Sequence, residues 1–143
     1  MAASKTYVVP VDFSKGSEVA LKHAVKLARE NKSKVALVHV LSTMALYPPE
    51  ETFFNYQDIV RKDAEDQFKK LVRRMGLKPS EYRILILMGE DVAHAIARQA
   101  KKLRASMIIM GSHGRTGLQR LLLGSVAERT LRYADCPVLI VKK

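Results

Sequence analysis

"SMIIMGSHGRTGLQRLLLGSVAE", Ser106 to Glu128, decides how the chain is read. Its first six residues are short and apolar, with the near-continuous hydrophobicity of a strand buried on both faces. Its last four, Ser125-Val-Ala-Glu128, have the S-x-x-E form of a capping box that opens a helix. Between them the chain places most of its glycine: of seven in all, four stand at 111, 114, 117 and 124. Gly124 then lies just outside a helix instead of weakening the inside of one by about 1 kcal/mol. A helix start beside glycine backbone presents unpaired N–H groups and about half a positive charge, a setting suited to phosphate. A well-capped, glycine-rich loop with no ligand is the other reading of the same residues.

Working outward, the same strand-like pattern recurs in Thr6–Asp12, Lys34–Leu41, Tyr82–Met88 and Pro137–Lys142. Longer segments of helical period separate these runs. Ser17–Asn31 places Val19, Ala20, Leu21, Ala24, Val25, Leu27 and Ala28 on one stripe, with Lys22, Lys26, Arg29 and Glu30 opposite. Phe54–Met75 repeats Tyr56, Val60, Ala64, Phe68, Leu71 and Met75 at steps of three and four, in continuity with Phe53. Val92–Leu103 and Val126–Ala134 supply two more helices. The order β-α-β-α-β-α-β-α-β predicts a doubly wound α/β fold: a parallel sheet with helices on both faces. Ligands in such sheets bind outside the carboxyl ends of the strands, where the winding reverses. Gly111 stands at such an end.

The 143 residues suit one domain, 1–143, able to bury a core without staples. One cysteine, Cys136, leaves no internal disulfide and no cysteine-based zinc cluster. The longest apolar runs are too short to cross a bilayer, and MAASKTYVVPVD is no signal peptide, so a cytoplasmic location is expected. Net charge is +11, from 25 basic and 14 acidic residues, but the basic residues cluster no tighter than pairs. That dispersion, with 6% aromatic residues, disfavours a nucleic-acid module. The connection Ser42–Thr52, with Tyr47-Pro48-Pro49, is either a cover for a site or a surface excursion.

Several kinds of site are missing. No lysine follows these glycines as in G-x-x-x-x-G-K-[ST], and G-x-G-x-x-G does not occur. There is no Ser-His-Asp set and no paired carboxylate. His39 on a strand reads as a hydrogen-bonded core residue; His113 could face a phosphate, but a surface loop histidine is the safer reading. His23 and His94 lack partners at metal-ligand spacing. VPVDFSKGS resembles neither the SGGxDS-like loop nor the HIGH-like motif of enzymes that activate substrates with ATP.

Gly111-x2-Gly114-x9-Gly124-Ser125 resembles the nucleotide-binding pattern of the universal stress protein family, ATP-binding subclass. GSHGRTGLQRLLLGSVAERTLRYADCPVLIV, VPVDFS and LVHVL carry the resemblance over essentially the full chain. It implies a five-stranded sheet of order 3-2-1-4-5, adenine nucleotide alpha hydrolase-like, binding ATP or AMP. On these positions Pro10, Val11 and Asp12 would line the adenosine pocket, Val40 would contact adenine, and Met110 and Gly111 would approach the ribose. Gly114, Gly124, Ser125 and Val126 would bind phosphates, and Arg115 could add charge there or lie in solvent. Asp12 would hold a ribose hydroxyl or Mg²⁺; alternatively it bonds the following turn, with Ser14 or Ser17 capping the first helix.

The family resemblance further implies a homodimer paired through Pro137–Lys142, an apolar edge strand that invites association if uncovered. A stress-response or regulatory binder is the first functional expectation, and a slow Mg-dependent ATPase or other ATP-using enzyme the second. Two features depart from the family: Gly89-Glu90-Asp91 lacks the proline many members carry there, and the basic charge is unusual.

Overall fold

The computed structural model describes residues 5–43, 53–113 and 122–142. Strands β1 (Thr6–Pro10), β2 (Lys34–Ser42), β3 (Tyr82–Gly89), β4 (Met107–Gly111) and β5 (Val138–Val141) alternate with helices α1 (Lys15–Glu30), α2 (Phe53–Arg74), α3 (Val92–Lys102) and α4 (Ser125–Tyr133). All the strand pairings are parallel, in the order β3-β2-β1-β4-β5. The chain winds outward from β1 to β3 and then crosses back to β4 on the other side of β1. The reversal therefore opens its crevice between the carboxyl ends of β1 and β4.

Strand alternation sorts the core into two layers. Tyr7, Val9 and Val11 of the first strand segment, with Val35, Leu37 and Ile109, pack against Leu21, Ala24 and Ala28 of α1 and Phe68, Leu71 and Val72 of α2. Val8, Ala36, Val38, Ile108 and Met110 point the other way, against Ile96 and Ala100 of α3 and Ala127 of α4. The central strands are buried on both faces as their sequences require. The edge strands β3 and β5 are only half-buried, because each is covered by a neighbour on one side alone.

Most boundaries fall within two residues of the sequence reading, and the differences have local causes. Ser14 and not Ser17 caps α1, so that helix starts at Lys15. A 3-10 turn at Pro79–Glu81, set by proline in its first position, precedes β3. The predicted stripe of α2 is buried at Ala64, Phe68 and Leu71 and half-buried at Met75, whereas Tyr56 and Ile59 are exposed. At 22 residues the helix is about 33 Å long, more than the sheet beneath it can cover.

One ion pair joins α1 to the turn before β3. The Glu81 carboxylate accepts from Arg29 Nε at 2.9 Å, Arg29 Nη2 at 3.3 Å and the Lys78 amide at 2.7 Å. Arg29 Nη2 also donates to the Gly76 carbonyl at 3.1 Å. The Arg29 hydrogen bond, then the Lys78 amide, hold the Glu81 pKa down from 4.5 to about 2. A carboxylate with a depressed folded pKa contributes stability above its unfolded pKa and loses it as pH falls through the folded one. Glu81→Gln should therefore lower the urea midpoint at neutral pH, with the gap from wild type closing as pH falls from 4.5 towards about 2. An equal gap across that range would mean that the carboxylate's ionisation contributes nothing.

Candidate functional site

The crevice is built from three chain segments, beginning with the exit of β1. Val11 is buried and its amide continues the ladder, donating to Val38 O at 2.8 Å. Asp12 Oδ1 then accepts the Ser14 amide, at 2.9 Å, and the Ser14 hydroxyl. Ser14 is the N-cap of α1: its Oγ accepts from the Ser17 amide at 3.3 Å, and the Ser17 hydroxyl donates to Ser14 O at 3.0 Å. Asp12 thus bonds the following turn, the alternative that the sequence left open. Phe13, between them, has φ of 64°, a left-handed conformation that bulky side chains rarely adopt.

The second and third segments are the end of β4 and the start of α4. A Cβ at Gly16 would lie 2.7 Å from His113 O, and one at Gly111 2.9 Å from Gly16 O. A Cβ at Gly124 would lie 2.9 Å from Ser112 O. Three glycines therefore let the first turn of α1, the exit of β4 and the start of α4 touch backbone to backbone. Gly111 and Gly124 have an intramolecular reason to be glycine, one that a ligand-based reading of their spacing misses. Gly16 escaped the sequence reading altogether. Its signal was a glycine in the first turn of an otherwise strong helix, at a cost of about 1 kcal/mol against alanine.

The expected capping box does not form. Gly124 occupies the N-cap of α4, with φ of −59° and ψ of 153°, and no side chain caps the helix. The Gly124 amide donates to Ser112 O at 2.7 Å, which fixes the helix start one residue earlier than Ser125 would. Ser125 is then already helical, and Glu128 turns to Arg132 at 2.9 Å. The start of α4 is tied sideways instead: Arg129 pairs with Asp91, whose Oδ1 also accepts from the His94 amide at 3.3 Å to cap α3. That capping role occupies the rim position where a proline was noted as missing.

His113 is half-buried. Its Nδ1 lies 3.0 Å from Ser112 Oγ, and its Nε2 is buried with no hydrogen-bond partner. No other buried side-chain nitrogen or oxygen among the described residues is left so.

Of the residues singled out from sequence, Pro10 ends β1 beside Val38, and Val40 lies on β2 beside Leu87 of β3. Met110 is buried on β4 and Gly111 ends that strand. Gly124, Ser125 and Val126 open α4. Gly114 and Arg115 lie outside the described residues, as does 44–52 of the connection after β2. His39 is the hydrogen-bonded histidine expected, its Nδ1 2.7 Å from Val11 O. Burial pushes the Cys136 thiol up, away from the reactive thiolate. Among the described residues no three His, Cys, Asp or Glu side chains gather as a metal cage. No helix among them is long and apolar enough to cross a membrane.

A five-stranded parallel sheet wound in this order, with helices on both faces, defines the doubly wound α/β class. Within that class, the model of the universal stress protein family matches residues 4–142, and the chain belongs to that family. Universal stress protein MJ0531 of Methanocaldococcus jannaschii is 38% identical to it, over 97% of this chain and 82% of that protein. The solved structure of MJ0577, from the same organism, superposes with a TM-score of 0.82 at 27% identity, covering 99% of this chain and 98% of that one. A universal stress protein from Archaeoglobus fulgidus, solved in complex with dAMP, shares the fold at a TM-score of 0.64 and 23% identity, covering 98% of each chain.

The close approach at Gly16 has a measurable consequence. Alanine is ordinarily the better helix former, yet Gly16→Ala should destabilise the protein by about 1–3 kcal/mol in urea unfolding, the usual cost of overpacking. A variant as stable as wild type, or more so, would show that the three segments are not in backbone contact.

Proposed function

We propose that this universal stress protein is a regulatory adenine-nucleotide binder. The whole chain would act as one unit and hold ATP or AMP at the carboxyl ends of β1 and β4. The observation that carries the reading is the buried, unpartnered Nε2 of His113, a residue whose backbone meets Gly124 at an α4 start that no side chain caps. If the Ser112 hydroxyl donates to Nδ1, Nε2 bears the proton and is a donor in need of an acceptor. A buried donor left unmade costs about 1–3 kcal/mol, and an anionic oxygen would satisfy it. The amides of the first α4 turn and the helix dipole favour the same charge.

On this reading Pro10, Val11, Val40 and Met110 supply the apolar wall for the base and sugar. Gly111, packed on Gly16, would meet the ribose through its own backbone. Gly124, Ser125 and Val126 offer phosphate contacts, with Gly114 and Arg115 completing the loop. Asp12 is oriented by its bonds to Ser14 and would meet a ribose hydroxyl. If Mg²⁺ accompanies the nucleotide, Asp12 would share it with the phosphates, since magnesium needs only one or two carboxylates beside them. The dAMP complex of the Archaeoglobus fulgidus protein supports a nucleotide by analogy of fold. A stress-response role, a cytoplasmic location and regulation through bound nucleotide belong to this proposal.

Isothermal titration with ATP and AMP tests it, with dissociation constants in the micromolar range expected. His113→Ala supplies a paired signature: nucleotide affinity should fall about tenfold while the ligand-free protein keeps or gains stability, because an orphaned polar group is removed. Absence of binding at about 1 mM nucleotide, a concentration at which even weak sites fill, would rule the reading out.

The half-buried edge strand β5 is proposed to pair with its copy in a homodimer. Sedimentation at micromolar concentration should give twice the chain mass, and a monomer there would exclude it.

A further inference from the structure

His39 holds both neighbours of Asp12. On one side its Nδ1 lies 2.7 Å from Val11 O, and because a carbonyl can only accept, Nδ1 carries the proton. On the other side its ring packs on Phe13, with centroids 4.9 Å apart. Phe13 is the residue at φ 64°, a conformation that glycine adopts freely and phenylalanine only when its surroundings compel it. The compelling contacts are visible. Phe68, wholly buried on α2, meets the Phe13 ring edge-on at 4.9 Å and the His39 ring at 6.3 Å.

We propose that His39 is a positioning residue for the nucleotide site: with Phe13 and Phe68 it clamps the β1 exit in the left-handed turn that sets the direction of the Asp12 carboxylate. The inference rests on the nucleotide reading of the crevice and extends it to residues that touch no nucleotide. His39 lies on β2, on the side of the sheet that faces α2 through Phe68, so the setting of Asp12 depends on how α2 is seated. A strand histidine is needed because one side chain must donate to a carbonyl and offer a ring at once. Phenylalanine would supply only the ring and asparagine only a donor near the Nδ1 position.

Two substitutions separate the two contacts. His39→Phe keeps ring packing without the donor, and His39→Asn keeps a donor without the ring. Phe13→Gly removes the other ring while leaving the left-handed backbone accessible. The Ser14 amide, which donates to Asp12 Oδ1, is the local reporter by hydrogen exchange, and the amides of α3 report on global opening.

In the ligand-free protein, His39→Phe and Phe13→Gly should speed Ser14 exchange by about tenfold or more with α3 unchanged, and His39→Asn should do so less. Affinity for AMP should fall about fivefold or more in the first two variants, with partial recovery in His39→Asn. Ser14 exchange that stays at the wild-type rate, or that rises only in step with α3, would overturn the clamp. If wild type itself binds no nucleotide, the binding proposal fails, while the exchange measurements still decide the clamp.

Discussion

The meeting of three backbones at the carboxyl end of the sheet is the constraint on which the rest of this structure depends. The first turn of α1, the exit of β4 and the start of α4 approach so closely that a Cβ on Gly16, Gly111 or Gly124 would strike main-chain atoms. Main chain cannot move aside as a long side chain can, so the contact is all or none. It brings two helix N-termini to one place, where their partial positive charges add. The chain treats them differently. Ser14, itself held by Asp12, caps α1, while Gly124 leaves α4 without a side-chain cap. The positive potential is therefore answered from within at one helix and left for something else at the other.

The architecture was legible because burial leaves a coarse periodic mark. Val8 and Val9, or Ala36 and Leu37, must be apolar in succession because each serves a different layer of core. Helix starts were less legible, since they turn on one residue of register. Ser125 and Glu128 have the spacing of a capping box, yet the Gly124 amide bonds Ser112 O and begins the helix early. That partner is distant in sequence, where no local pattern can reveal it. The same limit applied to the glycines: their spacing pointed to a ligand, but the contacts Gly16 makes with Gly111 and His113 join parts of the chain far apart in sequence. At His113 the sequence leaves both a surface loop and a phosphate-facing position open. A histidine among glycines suggests a surface loop, and only the packed structure shows Nε2 buried.

The scarce acidic residues are placed to join elements. Glu81 and Glu18 tie α1 to residues past 70, Asp91 ties α3 to α4, and Asp135 meets Lys101 at 3.5 Å. Of the ion pairs among the described residues, only Glu128–Arg132 lies within one helix. These pairs are exposed and each contributes little alone, about 0–1 kcal/mol. Their arrangement still matters in a chain of net charge +11, where they lower repulsion between neighbouring basic helices. Asp91 serves twice, as the cap of α3 and as the partner of Arg129.

The uncapped start of α4 also has a thermodynamic side. Glycine at an N-cap leaves a helix only a few tenths of a kcal/mol short of what Ser, Thr, Asp or Asn would give. In α4, nine residues long, what stays open is the set of first-turn amides that no side chain meets. An anion that completes the first turn would supply what the sequence withholds, so occupancy and local order would rise together. By linkage, the free energy of filling the site reappears as resistance of the native state to unfolding. The final helix and the strand after it would then report ligand concentration through their own folding equilibrium.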